Sequence, residues 1–214
     1  MIGPIFRREL MAATSKTWEQ WVMELQKEVD MLWTHEQMKT HIGARYGVGE
    51  EWCEWIAALY AHVLGRTPVG MTKDAGVQIG VRKTLAVTKE QAWHFLASTQ
   101  GLRLWIGDVS SMKWLKGHEF DSEDGISGKL TVVKPYEKLR LTWKRKDWEQ
   151  YSRLQIVLLA TSTGKTTIAV HQEMLEDIYM REMMRRHWEE MLHKMRDMME
   201  DRIGTDSAGG SSGF

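Results

Sequence analysis

The stretch DIYMREMMRRHWEEMLHKMRDMMEDR, residues 177–202, decides the fold. Within it Met180, Met184, Trp188, Met191, Met195 and Met198 recur at spacings of four, four, three, four and three, which is one apolar stripe of an α-helix. The opposite side offers Glu182 with Arg186 and Glu190 with Lys194, acid four residues ahead of base, a pairing that supports a solvated helical face. One face is therefore dry and the other wet. A rod of about 25 residues, about 40 Å long, needs a broad apolar surface to lie against.

The sequence upstream supplies that surface as a sheet. In Lys138–Arg145, Leu139, Leu141 and Trp143 point one way while Arg140, Thr142 and Lys144 point the other. Arg153–Ala160 repeats the alternation with Leu154, Ile156 and Leu158 inward, Ser162–Gly164 turns the chain, and Thr166, Ile168 and Val170 bring it back. Ahead of these, Gly117–Ser122 is a weak strand, Asp124-Gly125 a turn, and Gly128, Leu130 and Val132 a further strand that Pro135–Glu137 ends. The inward positions of these strands carry no acid or base. Val77, Ile79 and Val81 open the region as a strand, Thr88 with Gln91 caps a helix reaching about Ser98, and a short helical turn, Leu102–Trp105, follows Gly101. The order is strand, two helices, about five antiparallel strands and a long helix.

The first third reads differently. Thr17 with Gln20 and Thr34 with Gln37 are capping boxes that open two helices, and a third runs from about Glu50 to Leu64 with Trp52, Trp55, Ile56, Leu59, Tyr60 and Val63 on its apolar side. Tryptophan at 18, 21, 33, 52 and 55 fills the core of so small a bundle fastest. Residues 1–13 are expected to be an extension without structural weight, 14–66 a three-helix domain, 67–75 a linker, 76–203 the sheet-and-helix domain and 204–214 a disordered tail.

Composition narrows the partners. Lys plus Arg and Asp plus Glu balance at 29 each, so nucleic acid is a poor first expectation. No apolar run approaches the roughly 20 residues of a membrane span, and the single cysteine, Cys53, excludes an internal disulfide. A cytoplasmic protein with no cofactor is expected.

Several blocks tie the second domain to a known family: residues 81–87 (VRKTLAV), 92–96 (AWHFL), 101–107 (GLRLWIG), 139–143 (LRLTW) and 164–173 (GKTTIAVHQE). With them residues 76–203 resemble the SRPBCC, or START-like, superfamily, in the branch similar to the activator of heat-shock protein 90 ATPase. Residues 14–70 are similar to a small helical domain of unknown function that accompanies such domains. The resemblance implies an α+β helix-grip fold, a curved antiparallel sheet wrapped around the C-terminal helix. It carries no catalytic motif, because the family shares none.

The remaining constellations are weighed on their spacing. Gly164-Lys165-Thr166-Thr167 lacks the phosphate-loop glycine at position 159, which is Leu159, and continues as a strand, so it is a hairpin turn. His35-Glu36 lacks the zinc-protease histidine at position 39, which is Lys39; His35, His41 and His62 become ligands only if the bundle gathers them, and no metal is expected. Cys53 is expected buried and inert. His171, Glu173 and Arg181 are candidate polar anchors for a ligand headgroup at one end of the grip, or else a salt bridge that fixes helix to sheet. The expected lining of a hydrophobic site is Trp93, Trp105, Leu130, Leu141, Trp143, Leu154, Ile156, Ile168, Met184, Trp188 and Met191. Three functions remain: a non-enzymatic protein holding a small hydrophobic ligand between sheet and helix; a co-chaperone-like module contacting a chaperone or another protein; and a cyclase- or hydrolase-type enzyme using the same space.

Overall fold

The structure is a computed structural model that describes residues 2–66, 71–72 and 76–208, with the backbone alone described at 71–72, 76 and 201–208. The chain forms two compact units, Met1–Val77 with Leu175–Glu182, and Gln78–Met174 with Met183–Phe214.

The first unit holds α1 (Pro4–Thr14), α2 (Trp18–Glu28), α3 (His35–Tyr46) and α4 (Glu50–Val63). Thr17 and Thr34 cap α2 and α3 with both reciprocal bonds of the capping box in place. The structure corrects the reading of the N-terminus. Residues 4–14 are a helix started by proline in the first turn, and Ile5, Phe6 and Leu10 are buried on it. Phe6 lies 5.9 Å from the Trp18 and Trp52 rings and 5.4 Å from Tyr179, so it belongs to the tryptophan-rich core of the unit. Asp177 accepts hydrogen bonds from Gly3 N at 3.0 Å and Met180 N at 2.7 Å. Of the expected linker, 67–70 and 73–75 lie outside the described residues; Met71–Thr72 forms the short strand β1.

The second unit carries the sheet: β2 (Gly76–Leu85), β3 (Glu119–Asp121), β4 (Ile126–Lys134), β5 (Lys138–Arg145), β6 (Ser152–Ala160) and β7 (Thr166–Leu175). With β1 these form one seven-stranded sheet in the order β1-β2-β7-β6-β5-β4-β3. From β3 to β7 it is an antiparallel meander, with Leu141 opposite both Leu130 and Leu154 and Ile156 opposite Leu139 and Val170. A bulge between Leu130 and Val132 bends β4. Helices α5 (Lys89–Ala97) and α6 (Thr99–Trp105) follow β2; Thr88 caps α5 with the third capping box. Gly101 lets α6 turn tightly against α5, since a Cβ there would lie 1.9 Å from the Phe95 carbonyl oxygen.

The final helix, α7 (Ile178–Ala208), buries Met180, Met184, Trp188, Met191, Leu192, Met195 and Met199. Met198, expected on the stripe, is half-buried and Met199 takes the inward position, because 3.6 residues per turn carries the stripe one residue on by the last repeat. Glu190 and Lys194 pair at 2.7 Å on the wet face. The helix continues five residues into the expected tail, and 209–214 lie outside the described residues. This is the α+β helix-grip expected from the sequence, with a fourth helix in its helical companion.

Candidate functional site

The site is built from two facing walls of the second unit. On the sheet, a two-residue period turns Leu130, Leu139, Leu141, Trp143, Leu154, Ile156, Ile168 and Val170 to one face, where all are buried. On α7 the facing wall is Met184, Trp188, Met191 and Met195, and α5 and α6 add Trp93 and Trp105. Every residue of the expected lining is buried, none more than 7% exposed, and Trp143 and Trp188 stand 5.8 Å apart at the centre. Trp143, Leu154, Ile168 and Trp188 expose no surface at all, so side chains fill the space between helix and sheet.

Three of the large aromatic residues of this interior, Trp105, Trp143 and Trp188, donate their indole N–H to an acceptor. Trp188 Nε1 donates to Gln172 Oε1 at 2.6 Å, Gln172 Nε2 donates to Ser152 Oγ at 2.8 Å, and Ser152 Oγ–H donates to the Trp143 carbonyl at 2.6 Å. Trp143 Nε1 donates to the Trp105 carbonyl and Trp105 Nε1 to the Leu96 carbonyl, both at 3.2 Å. This relay ties α7, β7, β6, β5 and α6 together, and buried polar groups satisfied in this way fix a single packing. Sequence reasoning passed over Gln172 and Ser152. The inward parity of Gln172 beside Ile168 and Val170 was the available signal.

The anchors expected at one end of the grip lie elsewhere. Along β7 as far as Glu173 the buried residues are Thr166, Ile168, Val170 and Gln172, so the side chains of His171 and Glu173 leave the opposite face of the sheet. There His171 Nδ1 is 3.3 Å from Glu173, His171 Nε2 is 3.2 Å from Gln78 Oε1, and Arg153 donates to Glu173 at 2.9 Å. These are surface ion pairs of the outer sheet face. Arg181 belongs to the first unit, where Glu182 lies 3.8 Å away.

A different polar pair faces inward. Arg145 continues the parity of Leu139, Leu141 and Trp143, which corrects the expectation that the strands offer no inward acid or base. It was missed because it is the last residue of β5, where alternation is hardest to extend. His187 on α7 lies 6.2 Å from the Trp143 ring and 4.8 Å from Trp188, and its Nε2 is buried with no hydrogen-bond partner among the described residues. Burial, then the positive charge of Arg145, lowers the His187 pKa to about 4, so the imidazole is neutral at pH 7. Burial also lowers the Arg145 pKa, opposed by the charge of Asp147.

The histidines of the first unit take separate partners. His41 is 3.0 Å from Glu28, and His62 Nδ1 is 3.4 Å from the Arg66 carbonyl. His35 Nε2 is 2.7 Å from Glu54, with Glu36 within ligand reach. Lys39 Nζ stands 3.5 Å from Glu54 and 3.6 Å from Glu36, so an ammonium already supplies the positive charge of that cluster. Cys53 is buried, donates to the Val48 carbonyl at 3.4 Å, and has its pKa raised by burial, which makes it a poor nucleophile.

Comparison with known proteins places this geometry. No curated protein sequence matches the chain. Among solved structures, a putative protein of the dynemicin biosynthetic locus is similar at a TM-score of 0.52 and 13% identity over 57% of this chain, which spans only 47% of that protein. A protein of Mesorhizobium loti aligns at a TM-score of 0.51 and 19% identity, over 58% of this chain and 97% of its own. An HSP90 activator from Plasmodium falciparum aligns at 0.50 and 17%, over 57% and 96%. At these identities the likeness is one of fold. Residues 86–200, more than half of the 214, match the family described as Activator of Hsp90 ATPase homolog 1-like protein, and the chain belongs to that family.

Proposed function

We propose that the protein is a non-enzymatic binding module that takes a small hydrophobic molecule between the sheet and α7. The observation that carries this reading is the composition of the helix wall. Met184, Met191 and Met195 face an aliphatic and aromatic sheet, and unbranched thioethers with three rotatable bonds yield to an irregular guest where branched residues would not. Side chains fill the wall, so uptake turns Met184 and Met191 aside while the hydrogen-bonded Trp188 stays. An open groove of about 340 Å³ between β2 and α7, lined by Gly80, Val81, Arg82, Lys83, Glu189, Leu192 and His193, is the proposed way in.

The filled interior favours a second reading, in which the domain keeps a solid core and works by contacting a chaperone or another protein, as the family description suggests. Native mass spectrometry separates the two. A mass adduct on freshly purified protein, lost on denaturation, or one gained on incubation with a lipid and sterol mixture, supports the interior ligand. A clean mass throughout, together with capture of a heat-shock ATPase at tens of micromolar, supports the second reading and removes the first.

A further inference from the structure

The face of the sheet turned away from α7 is charged unevenly. Residues directly opposite on antiparallel strands share a face, so the register places Lys129 and Lys134 of β4, Lys138, Arg140 and Lys144 of β5, and Arg153 of β6 together on that outer side. No outward position of these three strands carries an acid. Glu119 on β3 holds Lys129 at 2.9 Å, and Glu173 on β7 holds Arg153 at 2.9 Å. Lys134, Lys138, Arg140 and Lys144 remain as cations without a carboxylate partner among the described residues. Water reaches these side chains, so what they present is a summed positive field rather than an unmet bond. Lys134 stands directly opposite Lys138, and Arg140 follows two residues along β5, about 7 Å away. Like charges so placed repel across a sheet, and the spacing lies inside the Debye length of about 8–10 Å. Two of the four are held in place. Arg140 donates from Nε and one Nη to Gln155 Oε1 at 3.3 and 3.0 Å, which fixes one edge of the guanidinium and leaves the other to an incoming carboxylate. Lys144 Nζ stands 4.8 Å from the centre of the Tyr151 ring.

We infer that the outer face of β4, β5 and β6 docks an acidic polypeptide segment. The face lies across the sheet from the proposed interior ligand and works with or without one. An extended segment with an acid at every second residue repeats at about 7 Å, the spacing of Lys138 and Arg140, so its carboxylates meet both in register and relieve the repulsion from Lys134. The rim selects this partner over a broader anion. Glu119 and Asp121 on β3 and Glu173 on β7 bound the cationic zone on its two sides, four strand spacings or about 19 Å apart. A flat anionic membrane or a nucleic-acid duplex would meet those carboxylates, whereas one strand of polypeptide fits between them. No outward position of β4, β5 or β6 carries an aromatic ring on which the bases of a single strand could stack.

The test is fluorescence anisotropy of the full chain with a labelled peptide of alternating Glu and Ser, about twelve residues long, beside its Gln-for-Glu counterpart. The expected result is saturable binding of the Glu peptide on the order of tens of micromolar, none of the Gln peptide, and loss of binding as sodium chloride rises from about 0.05 M to about 0.5 M. Lys138→Glu and Arg140→Glu should each weaken it about three- to tenfold, since a reversal removes one attraction and adds one repulsion. Lys27→Glu, the same charge change on an exposed helical position of the first unit, should change it less than about twofold. Lys138→Glu sets a carboxylate opposite Lys134 and should fold at least as well as the native chain by circular dichroism, so it carries the test if Arg140→Glu does not fold. No binding of the Glu peptide, equal binding of the Gln peptide, or an equal effect of Lys27→Glu overturns the docking face. Tighter binding of single-stranded DNA of about twelve nucleotides, or of phosphatidylserine vesicles, overturns its assignment to a polypeptide.

Discussion

Replacing Trp188 by alanine measures directly whether the grip is filled. The side chain exposes no surface, lies 5.8 Å from Trp143 and 4.8 Å from His187, and donates to Gln172 at 2.6 Å. Truncating a fully buried tryptophan costs about 3–5 kcal/mol in lost burial and residual cavity. Leaving the buried Gln172 oxygen without its donor adds about 1–3 kcal/mol, less whatever a water can restore. A total of about 4–8 kcal/mol is expected before any water is counted, a large share of the roughly 5–15 kcal/mol that holds a typical domain. Guanidinium denaturation followed by far-ultraviolet circular dichroism reads this. Trp188→Phe separates the terms: it keeps most of the ring, loses the donor, and should cost nearer 1–3 kcal/mol. If the relay is real, Gln172→Leu is less damaging in the Trp188→Phe background than alone, with a coupling of about 1 kcal/mol. A loss below about 2 kcal/mol for Trp188→Ala would refute the reasoning, since only a site that already contains a cavity releases so large a side chain at so small a cost.

Other consequences concern the rest of the chain. Phe6→Ala should destabilise the helical unit by about 3–5 kcal/mol, whereas an N-terminus without structural weight predicts no change in the unfolding midpoint. Thr34→Ala removes the acceptor for Gln37 N at 3.3 Å and should cost about 1 kcal/mol; Thr34→Ser should restore nearly all of it in the same titration. The folded pKa of His187, about 4, lies below its ordinary 6.5, so the unfolded chain binds the extra proton first and stability falls as pH drops from about 6.5 towards 4. Arg145, Glu190 and Lys194 are the charges acting on it, so native protein should lose on the order of 2–3 kcal/mol more than His187→Gln between pH 7 and pH 4. Equal losses in the two proteins would show that His187 titrates as it does in water.

The fold was legible because it is written in local rules. The Thr17, Thr34 and Thr88 boxes each close in the structure because the cap and its partner are three residues apart and need nothing distant. The two-residue and 3.6-residue periods likewise told which face of each strand and of α7 would be dry. The N-terminal helix escaped because Pro4–Thr14 has no capping side chain and its burial depends on rings as far along the chain as Tyr179.

What the sequence determined by itself was therefore the main elements after Thr14, their order and the helix-grip architecture, since period, caps and turns act over a few residues. Only the tertiary structure decided the chemistry of the site. It turned His171 and Glu173 to the outer face, joined Trp188 to Gln172 and Ser152, and set His187 beside the rings of Trp143 and Trp188. A hydrogen-bond partner is a property of atoms from different elements meeting in space, and no spacing along the chain encodes that meeting.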